Sequence, residues 1–242
     1  RSYSLEQQDR YEEALEAAMK GYELAPQRRA SISAVTHYLS LLERDREALD
    51  ILARSSGRVE NGWILTQLAD LQTELGMYRE AYASIQRALE YMPMIDDKNA
   101  KFLYGSLSNA AYMKGNHEEA VELARRAGEG FYEKIVENMS KARAGAVRVH
   151  LDVGFLRQHH VTCAPATLSN IARYWNKKAG HLELVEEMCY DGTPSYKERS
   201  WAEANGWRTR EFTLNIHNVR ELLERGVAMT LATVHPGGGH LQ

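Results

Sequence analysis

The sequence predicts a multidomain chain, an all-α array of helical repeats followed by an α+β domain. Three observations predict it. A four-residue pattern recurs as Tyr11-Glu12-Glu13-Ala14, Asp45-Arg46-Glu47-Ala48, Tyr78-Arg79-Glu80-Ala81 and His117-Glu118-Glu119-Ala120, with alanines 34, 33 and 39 positions apart. Those spacings suit stacked helix-turn-helix units. Beyond residue 146 the period changes: Val147, Val149, Leu151 and Val153 alternate with Arg148, His150 and Asp152, as in a half-buried strand. The apolar run 227–234 then reads as a further strand ahead of the turn His235-Pro236-Gly237-Gly238-Gly239. The expected domains are 1–143 and 144–242.

Composition narrows the class. The 242 residues are 44% hydrophobic and 26% charged, which fits globular domains rather than disorder. A net charge of −3 supplies no general attraction to nucleic acid or anionic membrane, so neither is an expected partner. No apolar run approaches the roughly 18 residues of a membrane span. The opening Arg1-Ser2-Tyr3-Ser4-Leu5-Glu6-Gln7 is polar, unlike a secretory signal, and does not begin with methionine. The expected setting is cytoplasmic. Cys163 and Cys189 are expected to be free thiols, with a disulfide between them left open.

The repeats follow in order. Seven residues after its alanine the first unit has Gly21 and twelve after it Pro26; the third has Ala88 and Pro93 at the same offsets. Small residues let paired helices approach, and proline ends the second helix. The fourth unit has Ala124 and Ala127 without a closing proline, and the second departs most, with Leu52 and Ser55. This pattern resembles the tetratricopeptide repeat, which implies a groove able to hold a peptide or protein partner, or else a brace for the next domain. Within the third unit Trp63, Thr66, Asp70 and Thr73 fall where that family's groove-facing side chains lie. Residues 94–99 read as a longer loop, a last helix is expected over 130–143, and Ala144-Gly145-Ala146 as the break.

In the second half, residues 166–175, 181–190 and 194–205 are predicted helices. Residues 207–214 are a predicted strand, and Asn215 is placed to cap a helix running to Arg225 and closed by Gly226.

The candidate chemistry centres on Cys163. A cysteine at a helix start meets unpaired N–H groups and the positive end of the helix dipole, which favour a thiolate nucleophile. Gln158 can supply an amide to an oxyanion beside the cysteine N–H, and His240 can serve as the base. The segments Leu151 to Gln158 and Thr162 to Leu168, with Gly239-His240, resemble the papain-like cysteine peptidases of family thirty-nine, which remove double-glycine leaders. Over residues 147–242 the resemblance implies a papain-like α+β domain that hydrolyses a peptide or protein substrate. Gln158 would be the oxyanion donor, Cys163 the nucleophile and His240 the base, with no cofactor. Ala164 stands where the family has glycine and Gly154 where many relatives have proline. The acid that would orient the imidazole is not found before Gln242, so the expectation is an incomplete domain.

Blander readings stand beside this one. Cys163 can be a small buried hydrophobe, and Cys189 is expected to be one. His235 is the rival base. His159, His160 and Cys163 lack a suitably spaced fourth ligand, so no metal is expected. Trp175, Trp201 and Trp207 are expected as core or pocket walls. The alternative to a peptidase is a catalytically inactive, peptidase-like interaction scaffold.

Overall fold

The structure is a computed structural model that describes residues 1–128, 130–141, 147–159, 161–235 and 238–241, with the side chains of 234, 235 and 238–240 outside that description. The chain divides into two compact units, Arg1–Ala146 and Val147–Gln242.

The first unit is helical throughout its described residues: α1 (Ser2–Glu6), α2 (Tyr11–Leu24), α3 (Arg29–Leu41), α4 (Asp45–Ser56), α5 (Gly62–Glu74), α6 (Tyr78–Glu90), α7 (Asp97–Met113), α8 (His117–Ala127) and α9 (Phe131–Ser140). Each helix packs on its sequence neighbour, and α3 also meets α5, which is how stacked hairpins arrange their first helices along one side. The four repeat alanines are fully buried where the paired helices cross. Methyl-sized side chains there let the helix axes approach, which a larger residue would prevent.

A second regularity lies five residues before each alanine. Asp9, Glu43, Gly76 and Gly115 all adopt positive φ, at 55°, 57°, 73° and 88°. Each N-terminal partner helix therefore ends in a left-handed turn before its hairpin mate, a conformation that glycine adopts freely and a side chain adopts at some cost. Residues 94–99 are only partly the expected loop. Asp96 accepts a hydrogen bond from the Asn99 N–H at 3.0 Å and starts α7 at Asp97. The last helix is shorter than expected, and the break at 144–146 lies outside the described residues.

Two apolar cores run through the array. Leu15, Ile32, Val35, Leu39, Leu52, Ile64 and Leu65 belong to the first, and Ile85, Leu103, Leu107 and Leu123 to the second. A buried hydrogen bond of 2.8 Å from Ser84 to Gln72 ties α6 to α5, and another of 2.7 Å from Ser108 to the Ala120 carbonyl ties α7 to α8.

The second unit departs from the papain-like α+β expectation. Its described residues form α10 (Cys163–Tyr174), α11 (His181–Met188), α12 (Ser195–Ala204) and α13 (Ile216–Glu224), with one antiparallel pair, β1 (Ala232–His235) and β2 (Gly238–Leu241). Residues 147–153 and 207–214 form no strand, and of 227–234 only the final three residues do so. Alternating side chains prepare a segment for a sheet, but a strand also needs a neighbour to satisfy its N–H and C=O groups. Among the described residues only β1 and β2 provide one for each other. The expected papain-like sheet is thus replaced by a two-stranded hairpin.

The local helix signals fare better. Asn215 caps α13, accepting from the Asn218 N–H at 2.9 Å. Pro194 lies at the N-cap of α12 rather than within it. Tyr174 of α10 donates to the Gly226 carbonyl at 2.8 Å, and Thr167 of the same helix donates to the Leu241 carbonyl at 3.3 Å. No helix among the described residues is long and apolar enough to cross a membrane.

Candidate functional site

Cys163 is the first residue of α10, half-buried, and it lines a cavity of about 680 Å³ together with Gln158, Val161, Ala164, Asp191 to Ser195, Glu198, Ala232, Thr233 and Leu241. Gln158 and Cys163 therefore line one cavity. His240 is placed in β2 by its backbone, in register with Thr233 on the cavity wall, but its side chain lies outside the described residues, as does that of His235. His160 is outside them altogether.

The loop before Cys163 is held by a compact network that the sequence did not signal. The His159 N–H donates to the Thr162 hydroxyl at 2.9 Å, and that hydroxyl donates to the His159 carbonyl at 3.1 Å. His181 Nε2 lies 3.1 Å from the same oxygen. With the hydroxyl proton used on the carbonyl, His181 is the donor and carries its proton on Nε2. The His159 and His181 rings meet edge to face at 5.0 Å, both buried. Between them Val161 has φ of 53°, a left-handed conformation that a β-branched side chain resists. The surrounding contacts hold it there. Cys189, expected in the core, is instead half-buried at the end of α11, and its thiol donates to the Val161 carbonyl at 3.3 Å. Both cysteines are free thiols.

On the far wall Glu198 is a second residue the sequence did not signal. Burial holds its carboxyl above the usual carboxylate range; the Arg199 guanidinium opposes this, and the Glu211 carboxylate adds to it. Trp207, on the loop after α12, lies under the Lys177 ammonium, 4.5 Å from the ring centre, while Trp175 is 46% exposed.

The first unit carries a different cavity, of about 600 Å³, lined by Gly105, Ser106, Ser108, Asn109 and Tyr112 of α7 and by Phe131, Tyr132, Ile135, Asn138 and Met139 of α9. Asn109 and Tyr112 stand in their repeat where Asp70 and Thr73 stand in the third. The expected groove residues of that third unit divide. Thr66 donates back to the Gly62 carbonyl at 3.0 Å and Thr73 to the Ala69 carbonyl at 2.8 Å, so both hydroxyls are satisfied within α5. Trp63 is half-buried and Asp70 exposed. Phe102, equivalent to Trp63, is exposed on α7.

The first unit thus has the fold of stacked helical hairpins, a tetratricopeptide-like array. Neither a protein-family model nor a curated protein sequence matches the chain. Solved structures do. A crystal structure of MamA is similar over 58% of this chain and 82% of its own, at 13% identity and a TM-score of 0.50. The MamA RS-1 ArsTM double mutant is similar over 57% and 79%, at 14% and 0.49, and MamA from residue 41 to its end from Desulfovibrio magneticus RS-1 over 58% and 74%, at 14% and 0.43. The first likeness supports the helical-repeat fold.

These findings overturn the expectation of an enzyme. The fold to which the chain is similar is a helical-repeat fold, and the described residues hold no papain-like sheet behind α10. A thiolate and an imidazole act together only when a rigid wall fixes both within hydrogen-bond reach. A pair of four-residue strands is not that wall.

Proposed function

We propose that the chain is a non-enzymatic interaction scaffold whose helical repeats hold a protein partner. The observation that carries this reading is the side of the array formed by the first helices of successive hairpins. There Trp63 on α5 and Phe102 on α7 stand at equivalent repeat positions, the one half-buried and the other 53% exposed. Large aromatic surfaces of this kind, on rigid elements, are what interfaces use as anchors. On this reading the cavity at Gln158 and Cys163 is not a reaction centre. The likeness of residues 147–242 to family thirty-nine is then one of sequence pattern in a non-catalytic unit. The free thiols Cys163 and Cys189 support placing it in a reducing compartment such as the cytoplasm.

The test starts from partners captured on the immobilised full chain, each then purified and titrated against it. The double variant Trp63→Glu, Phe102→Glu is expected to weaken a true partner by about tenfold or more, since each change puts a charge where an apolar contact was. Cys163→Ala is expected to leave that affinity unchanged. A purified partner whose affinity ignores the double variant would overturn the proposal.

A further inference from the structure

Residues 147–153 have the two-faced form of a strand without a strand's neighbour. Exposure alternates from Arg148 to Val153. Val149, Leu151 and Val153 are half-buried and line a largely apolar cavity with Ile171, Val219 and Leu223, while Arg148, His150 and Asp152 are exposed. In an extended chain the N–H and C=O of one residue point to one edge and those of the next residue to the other. The Val153 N–H donates to the Leu151 carbonyl at 2.9 Å, a bond on the edge of the odd-numbered residues. On the opposite edge His150 and Asp152 hold no hydrogen bond among the described residues. Such an edge is a template for another strand, and its side chains select which one. Turned about a twofold axis at His150 and paired antiparallel, the segment sets Arg148 of each copy opposite Asp152 of the other. Val147 then stands opposite Val153, and Val149 opposite Leu151. Opposite charges and apolar pairs directly across two strands attract, whereas an axis at Arg148 or at Asp152 would set like charges face to face.

We propose that residues 147–153 join two copies of this chain as an antiparallel strand pair with its twofold axis at His150. A twofold contact is self-complementary, so this one segment suffices and the assembly closes at two chains. The backbone groups of His150 and Asp152 gain partners, and the apolar face stays over the cavity that Val149, Leu151 and Val153 already line. Val147, 63% exposed, gains the second copy's Val153 as its cross-strand neighbour. The inference does not rest on the scaffold reading. It supplies a scaffold with two arrays, so a partner carrying two binding segments is held more tightly than by one chain.

Sedimentation equilibrium of the full chain, from about 1 µM to about 1 mM, is expected to follow a monomer–dimer equilibrium. Arg148→Asp and Asp152→Arg each set two like-charged pairs across the axis. Each should raise the dimer dissociation constant about tenfold or more, with helical circular dichroism unchanged. The double variant Arg148→Asp, Asp152→Arg exchanges the signs, restores both pairs and should recover the parent constant. A mixture of the two single variants should form heterodimers, because aspartates at both positions of one chain meet arginines at both positions of the other. Trp63→Glu, Phe102→Glu should leave the dimer intact, which separates this contact from partner binding on the array. A chain that stays monomeric across the range, single variants that associate like the parent, or a mixture without heterodimers would each overturn the proposal. Loss of the dimer in Trp63→Glu, Phe102→Glu would place the contact on the array and overturn it as well.

Discussion

Ser55 shows how a repeat pattern assigns a value to a single atom. It stands seven residues after Ala48, where the later repeats have Ala88 and Ala127, and it is 3% exposed with a hydroxyl that has no hydrogen-bond partner among the described residues. A buried hydroxyl without a partner gives up its hydration for nothing. Ser55→Ala is therefore expected to raise stability by about 0.5–1.5 kcal/mol, read from urea midpoints at constant slope. The positive-φ turns carry an opposite pair of expectations. Gly76→Ala should cost about 1 kcal/mol, since a methyl group strains the left-handed conformation that Gly76 occupies. Glu43→Gly should relieve the same strain and raise the melting temperature. Equal and like-signed shifts in the two variants would show that the turn conformation does not set the energy. At Glu198 the sign follows from the raised carboxyl. An acid whose folded pKa exceeds its unfolded one has its stabilising contribution fully present below the unfolded value and loses it as pH rises through the folded value. The contribution of Glu198 to stability should therefore fall as pH rises through its folded pKa, and Glu198→Gln should remove that fall relative to the parent when unfolding is followed against pH.

At the scale of elements, two helix glycines separate rigid from yielding contacts. A methyl on Gly62 would meet the Ala88 carbonyl oxygen at 2.8 Å and Met92 Cγ at 2.5 Å, so α5 would be pushed off the backbone of α6. The nearest atoms to a methyl on Gly105 are the hydroxyl and adjoining ring edge of Tyr132, a side chain that can swing. Gly62→Ala is accordingly expected to destabilise by about 1–3 kcal/mol and Gly105→Ala by distinctly less, a difference measurable by parallel thermal melts. This scale is also where the sequence was both most and least legible. A helix start such as Asn215 is local, because the capping side chain and the amide it meets lie within a few residues. Strands are not local. Val147 to Val153 has the alternation a strand needs, but pairing depends on what lies beside it in space, and that information is absent from the segment itself. Val161 with its left-handed backbone and the His159, Thr162 and His181 network were invisible for the same reason, since His181 reaches the loop from another helix.

At the scale of the molecule, the repeat period was legible because each unit solves the same packing problem against its neighbour. Ala14, Ala48, Ala81 and Ala120 are constrained by contact, and spacing alone exposed them. The functional reading was less legible, because a cysteine, a glutamine and a histidine in order give a pattern but not the three-dimensional framework on which a reaction depends. The same packing logic predicts where the chain opens first. In a stacked array a unit's resistance to opening comes from what it buries against its neighbours, so the interior helices should be the last to exchange. Leu65 and Ile64 of α5 are fully buried, whereas α9 and α13 contribute no buried residue. Native-state hydrogen exchange should therefore show α5 amides protected to near the global unfolding free energy and α9 and α13 amides released through local openings.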